Sequence, residues 1–105
     1  MKILDKEIEF DLNDAESIDR LQELDSSYAE KIKDSTKLTE QCAAYKEFFD
    51  KAIGEGTSEK LFEGKNDYMQ IVRAYNEFLD RIEDKVKEFM SEVEKSQKRY
   101  ERYIK

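Results

Sequence analysis

Residues 68–105, YMQIVRAYNEFLDRIEDKVKEFMSEVEKSQKRYERYIK, decide the fold class. Tyr68, Val72, Tyr75, Leu79, Ile82, Val86, Phe89, Val93, Ser96, Tyr100 and Tyr103 follow one another at alternating spacings of four and three, the repeat of a helix that packs against other helices. Neither proline nor glycine occurs after Gly64, so the pattern predicts one helix of about 37 residues, about 55 Å long. A rod of that length needs cover. Ile71 and Phe78 near its start, and Met90 and Ile104 toward its end, widen the stripe and mark where further elements or another subunit pack. Glu77–Arg81, Glu83–Lys87 and Glu94–Lys98 have the i,i+4 order that supports a helix.

Working back from this segment, Gly54, Gly56 and Gly64 are the chain's three glycines. They confine the expected reversal to a connector over 54–66, with Thr57 starting a short helical turn and Asn66 or Asp67 capping the final helix. Before it, Ile18, Leu21, Tyr28, Ile32, Leu38, Cys42, Tyr45 and Phe49 keep a helical stripe over 13–53, with Asn13 as N-cap. The stripe falters at Asp34-Ser35-Thr36-Lys37; without Gly or Pro there, one continuous or gently kinked helix is the favoured reading, a break near 34–37 the alternative. Residues 1–12 alternate apolar and charged side chains, with Ile8 and Phe10 on one face, and read as a small β-hairpin turning at Asp5–Lys6. Such a hairpin is marginal in water, so its apolar face must rest on a helix or its edge must pair with another chain.

The expected fold is therefore mainly α: an antiparallel hairpin of two long helices, coiled-coil-like, with a small N-terminal β-hairpin and a short connector helix, in one domain over 1–105. Composition agrees, since Ala, Glu, Lys, Leu and Arg make up close to half the chain and proline is absent. Hydrophobic residues, 38% of the chain spread along thin helices, exceed what one helix pair covers, so a homo-oligomer is expected. The expected interface comprises Ile71, Phe78, Met90 and Ile104 with Ile8 and Phe10 of the hairpin.

Charge narrows the function classes. A net −7 argues against a nucleic-acid partner, which would need clustered cations to displace phosphate counterions. The charge is uneven: Lys95–Lys105 holds five basic residues and one acidic, net +4, which leaves −11 on residues 1–94. Pairing of this basic end with Glu7, Glu9, Asp11, Asp14 and Glu16 would favour the hairpin register. No apolar run is long enough for a signal or membrane segment, so a cytoplasmic location and no membrane partner are expected. The single Cys42 forms no intramolecular disulfide and reads as a small hydrophobe on a packed face.

Catalytic equipment is sparse. The chain has no histidine for acid–base work near neutrality, no cysteine pair for zinc and no phosphate-binding glycine loop. Helical di-metal carboxylate sites use Glu-x-x-His, which cannot occur here. No catalytic, cofactor-binding or metal residues are assigned, and a non-enzymatic protein with a helical protein partner is expected.

The connector Gly54-Glu55-Gly56-Thr57-Ser58-Glu59-Lys60-Leu61-Phe62-Glu63-Gly64, after a start Met1-Lys2-Ile3-Leu4, resembles an uncharacterised family of short acidic phage and prophage proteins similar to phage tail assembly chaperones. That resemblance implies an assembly or scaffolding-type role and a helical partner such as a tape measure protein. Alternatively, Phe62-Glu63-Gly64 between two helices resembles a degenerate turn of the WXG-type secreted helical hairpins, without their tryptophan. A general coiled-coil adaptor is the remaining alternative.

Overall fold

The computed structural model describes residues 1–104, with the side chain of Ile104 and all of Lys105 outside the described part. Strands β1 (Lys2–Ile3) and β2 (Lys6–Glu7) are followed by helices α1 (Ala15–Asp34), α2 (Leu38–Ala52), α3 (Thr57–Phe62) and α4 (Tyr68–Ile104). The protein is mainly α with a small N-terminal antiparallel hairpin and a 37-residue final helix, which runs the length of the 59 Å long axis.

The faltering stripe at 34–37 is a break. Ser35 and Lys37 adopt extended backbone, and the Ser35 N–H closes α1 on the Ile32 carbonyl at 3.2 Å. The chain then doubles back, so the favoured reading of a continuous helix is corrected. Arg20 reaches the Ala52 carbonyl, while Tyr28 and Lys31 both reach Glu47, which makes α1 and α2 antiparallel. The energetic reason lies in the side chains: a continuous helix would leave Tyr28 and Phe48 on separate stretches of an exposed rod. Folding brings their rings to 6.1 Å and buries both.

A second reversal at α3 carries the chain back along α2. Asp50 of α2 accepts from the Ser58 N–H and the Ser58 hydroxyl, both at 2.9 Å, which satisfies a donor in the first turn of α3 from a neighbouring helix. Gly56 caps this helix at φ 90°, a conformation costly for residues with a Cβ. At the far end Lys46 meets Asn66 at 2.6 Å, and Asp67 accepts from the Gln70 N–H to start α4. As a result α4 runs parallel to α2, with Tyr45 against Tyr75 and Phe49 against Phe78, and antiparallel to α1, where Tyr75 donates to Asp25. Two helices were expected to cover each other along their lengths. Instead, three shorter elements wrap the first half of α4.

Phe48, Phe49, Phe62 and Phe78 form the centre of the core, with Phe49–Phe62 at 5.7 Å and Phe48–Phe78 at 6.2 Å. Cys42 is 2% exposed on the packed face of α2, as its spacing predicts, although its neighbour Leu38 is exposed. The β-hairpin turns one residue earlier than expected, at Leu4–Asp5, where both residues take positive φ. Leucine rarely tolerates that conformation. Its N–H donates to the Glu77 carboxylate of α4 at 3.2 Å, and Lys6 Nζ donates to the Lys60 and Leu61 carbonyls at the end of α3. Tertiary anchors thus hold a turn that local chemistry disfavours. At α1 the N-cap is Asp14 rather than Asn13, whose N–H instead donates to Asp11 Oδ1.

Candidate protein interface

The first half of α4 is buried by its neighbours: Ile71, Ala74 and Phe78 are fully covered and Ile82 nearly so. From Met90 to Tyr103 every residue is exposed. The segment leaves the body as a bare helical arm, about 15 residues or about 22 Å long. Along it Met90 is 59%, Val93 45%, Tyr100 68% and Tyr103 87% exposed. Scattered surface apolar residues are ordinary, but these lie on one face at helical spacing. The face continues the seam that α1 covers in the body. There a groove of about 330 Å³ opens between α1 and α4, with Leu21, Leu79, Ile82 and Val86 in its walls.

The sequence-predicted interface residues separate into two groups. Ile71, Phe78 and Ile8 are core, at 0%, 0% and 2% exposure, which corrects their assignment to a surface flank. The physical reason is the chain reversal at 35–37: it supplies α2 as an extra covering element, so α4 buries the side that carries Ile71 and Phe78 as well as its seam. Phe10 is half-buried, edge-on to Phe78 at 5.5 Å, and closes the body rather than offering a free face. Met90 lies exposed at the root of the arm, and the Ile104 side chain lies outside the described residues. Val93, Tyr100 and Tyr103, read from the sequence as covered seam, are instead the exposed residues. The seam's composition gives little signal, since each side of Phe89 carries two tyrosines; only Ser96 in place of a large apolar residue weakens the stripe beyond it.

The expected pairing of the basic C-terminal end with the acidic N-terminal segment does not occur among the described residues. Among the described residues the arm's one ion pair is local, Lys95–Glu92 at 3.4 Å. Of the three i,i+4 pairs expected on this helix, Glu77–Arg81 alone forms among the described residues, at 3.2 Å, and an unexpected pair, Lys85–Glu88, forms at i,i+3 spacing.

Titration is perturbed in the body instead. On the α1–α2 seam Glu47 accepts from the Tyr28 hydroxyl at 2.8 Å and pairs with Lys31 and Lys51, each at 3.2 Å. The Tyr28 hydrogen bond, followed by those from the two lysines, pulls the Glu47 carboxyl down to about 2. Tyr75 is pushed up, first by burial and then by its bond to the Asp25 carboxylate. Neither group faces an enclosed cavity with a second reactive side chain, and both read as structural ties between helices. Among the described residues no three His, Cys, Asp or Glu side chains converge as a metal site. No helix there is long and apolar enough to cross a membrane.

No curated protein and no solved structure matches the chain. A family model matches residues 4–105, from the β-hairpin through the whole arm, and the chain therefore belongs to a family of unknown function, DUF6673.

Proposed function

We propose that this protein is a non-enzymatic assembly or scaffolding-type factor that works by helix docking, with the α4 arm as its docking element. One observation carries the reading: a folded body holds out a continuous helix whose apolar stripe is exposed from Met90 to Tyr103. Helix-to-helix docking uses such a stripe, read at spacings of three and four. The resemblance of the connector to short phage and prophage proteins suggests the setting, phage tail assembly in a bacterial cytoplasm. In that setting the partner is an amphipathic segment of a tape measure protein, which would otherwise expose its own apolar seam before assembly.

Co-expression with helical segments of a tape measure protein from the same phage genome tests the proposal. The full chain should co-purify as a stoichiometric complex, and a chain ending at Phe89 should not, although its circular dichroism melt should show a folded body. Failure of the full chain to retain any such segment would overturn the phage-tail role. Equal retention by the truncated chain would move the docking element off the arm.

A further inference from the structure

The arm's charge is graded along its length. Residues 80–94, the stretch of α4 that leads from the body into the arm, hold six acidic and three basic residues, net −3, whereas Lys95–Lys105 is net +4. Two parallel arms would set two +4 segments side by side. Two antiparallel arms would set each basic tip against the other's acidic root, so complementarity favours a second copy of this chain laid head to tail.

The spacing fixes a register. With Val86, Val93 and Tyr100 as one set of seam positions and Phe89, Ser96 and Tyr103 as the other, antiparallel packing seats each set on the other. If Val93 faces the second copy's Ser96, then Phe89 faces Tyr100 and Val86 faces Tyr103. In this register the flanking Glu92 lies beside Arg99 of the second copy, twice by symmetry. Ser96, the smallest residue of the stripe, falls near the centre, where the helices must approach closely. Each Tyr103 then lands at Val86, the mouth of the groove between α1 and α4 lined by Leu21, Leu79 and Ile82. The groove and the arm are one stripe. A second copy would extend along the arm the cover that α1 gives in the body.

From these observations we infer that the protein forms an antiparallel dimer through its α4 arms, with Glu92–Arg99 pairs across the seam and each Tyr103 seated at the other chain's α1–α4 groove. This rests on the arm as docking element but names its occupant when no other protein is present. The two readings fail separately: a monomer that still captures a tape measure segment refutes the dimer alone, and a dimer that captures none refutes the partner alone.

Sedimentation equilibrium of the full chain should show a dimer that weakens as salt is raised, because the exposed charge pairs are screened. Arg99→Glu should raise the dissociation constant about tenfold, since it replaces both attractions with repulsions. Glu92→Arg should do the same, and the double variant should restore pairing. All of these positions are exposed and remote from the core, so helical content should be unchanged. Orientation is read by spin labels at Tyr103→Cys in a Cys42→Ala background. Antiparallel arms put the labels about 17 residues, or about 26 Å, apart along the axis. Parallel arms put them side by side at about 10 Å. A monomer at several hundred micromolar, a short label distance, or a double variant no tighter than the single ones would overturn the inference.

Discussion

The two halves of α4 carry the same repeat and meet opposite fates. Tyr68, Val72, Tyr75, Leu79 and Ile82 lie against the body, whereas Val93, Tyr100 and Tyr103 stand in water. Nothing in the spacing distinguishes them. What differs is supply: the elements before α4 fold back on one another and are used up around its first six turns. A hydrophobic period states that a face wants cover, and the lengths and turns of the other elements decide which part receives it within the chain.

The contrast is broken most directly at Phe78, which is fully buried against Phe10, Phe48 and Phe49. Phe78→Ala should cost about 3–5 kcal/mol of unfolding free energy through lost burial and the cavity left behind. Urea denaturation followed by circular dichroism measures it. A loss below about 1 kcal/mol would mean that the body half of α4 is no better packed than the arm.

A smaller effect is expected at Asp50, whose carboxylate holds both the N–H and the hydroxyl of Ser58. Asp50→Ala leaves a first-turn donor of α3 without its partner and should cost about 1–2 kcal/mol. The connector positions the start of α4, so this variant should also speed amide exchange in the turn around Asp67 more than in the arm. Uniform exchange changes across α4 would show that the connector does not set the boundary between its halves.

Much of this architecture was legible in the sequence, and the illegible part has a common cause. The long helix, its Asp67 cap and the packed Cys42 follow from spacing and local chemistry, all read within a few residues. The break after Asp34 has neither glycine nor proline. It is bought by distant contacts, Tyr28 with Glu47 and Phe48, that no local rule contains. The Leu4–Asp5 turn is the same case, held in a disfavoured conformation by Glu77 some 73 residues away. With 13–53 read as one continuous helix rather than broken at 34–37, α2 is missing as a separate cover, and Ile71 and Phe78 read as free surface. Of the residues read as an exposed flank, Met90 is exposed on the arm, whereas Ile71, Phe78 and Ile8 are core.

Acid sharpens the comparison further. Glu47 titrates at about 2 in the folded body and near the ordinary carboxylate value of 4.5 when unfolded. Its ties therefore contribute stability in full above about pH 4.5, and that contribution is lost progressively as pH falls toward 2. The carboxylate is partly exposed, so solvent screening keeps the effect modest. Wild type should lose stability on acidification more steeply than Glu47→Gln between those limits, as read from melts at a series of pH values. Parallel curves would show that Glu47 does not tie α1 to α2.

The smallest effect should come from the arm itself. Tyr100→Ser and Tyr103→Ser remove two large aromatic residues, a change that in the core would cost several kcal/mol each. Here the side chains are 68% and 87% exposed, and neither touches another ring within the chain's aromatic clusters. In dilute solution, below the concentration at which chains pair, either change should move the unfolding free energy by less than about 0.5 kcal/mol. At high concentration the same substitutions should lower the melting temperature relative to wild type, because a folded-state partner stabilises by mass action and these variants weaken it. A concentration-independent loss above about 1 kcal/mol would place the tyrosines inside the fold of a single chain, and the arm would then be part of the body.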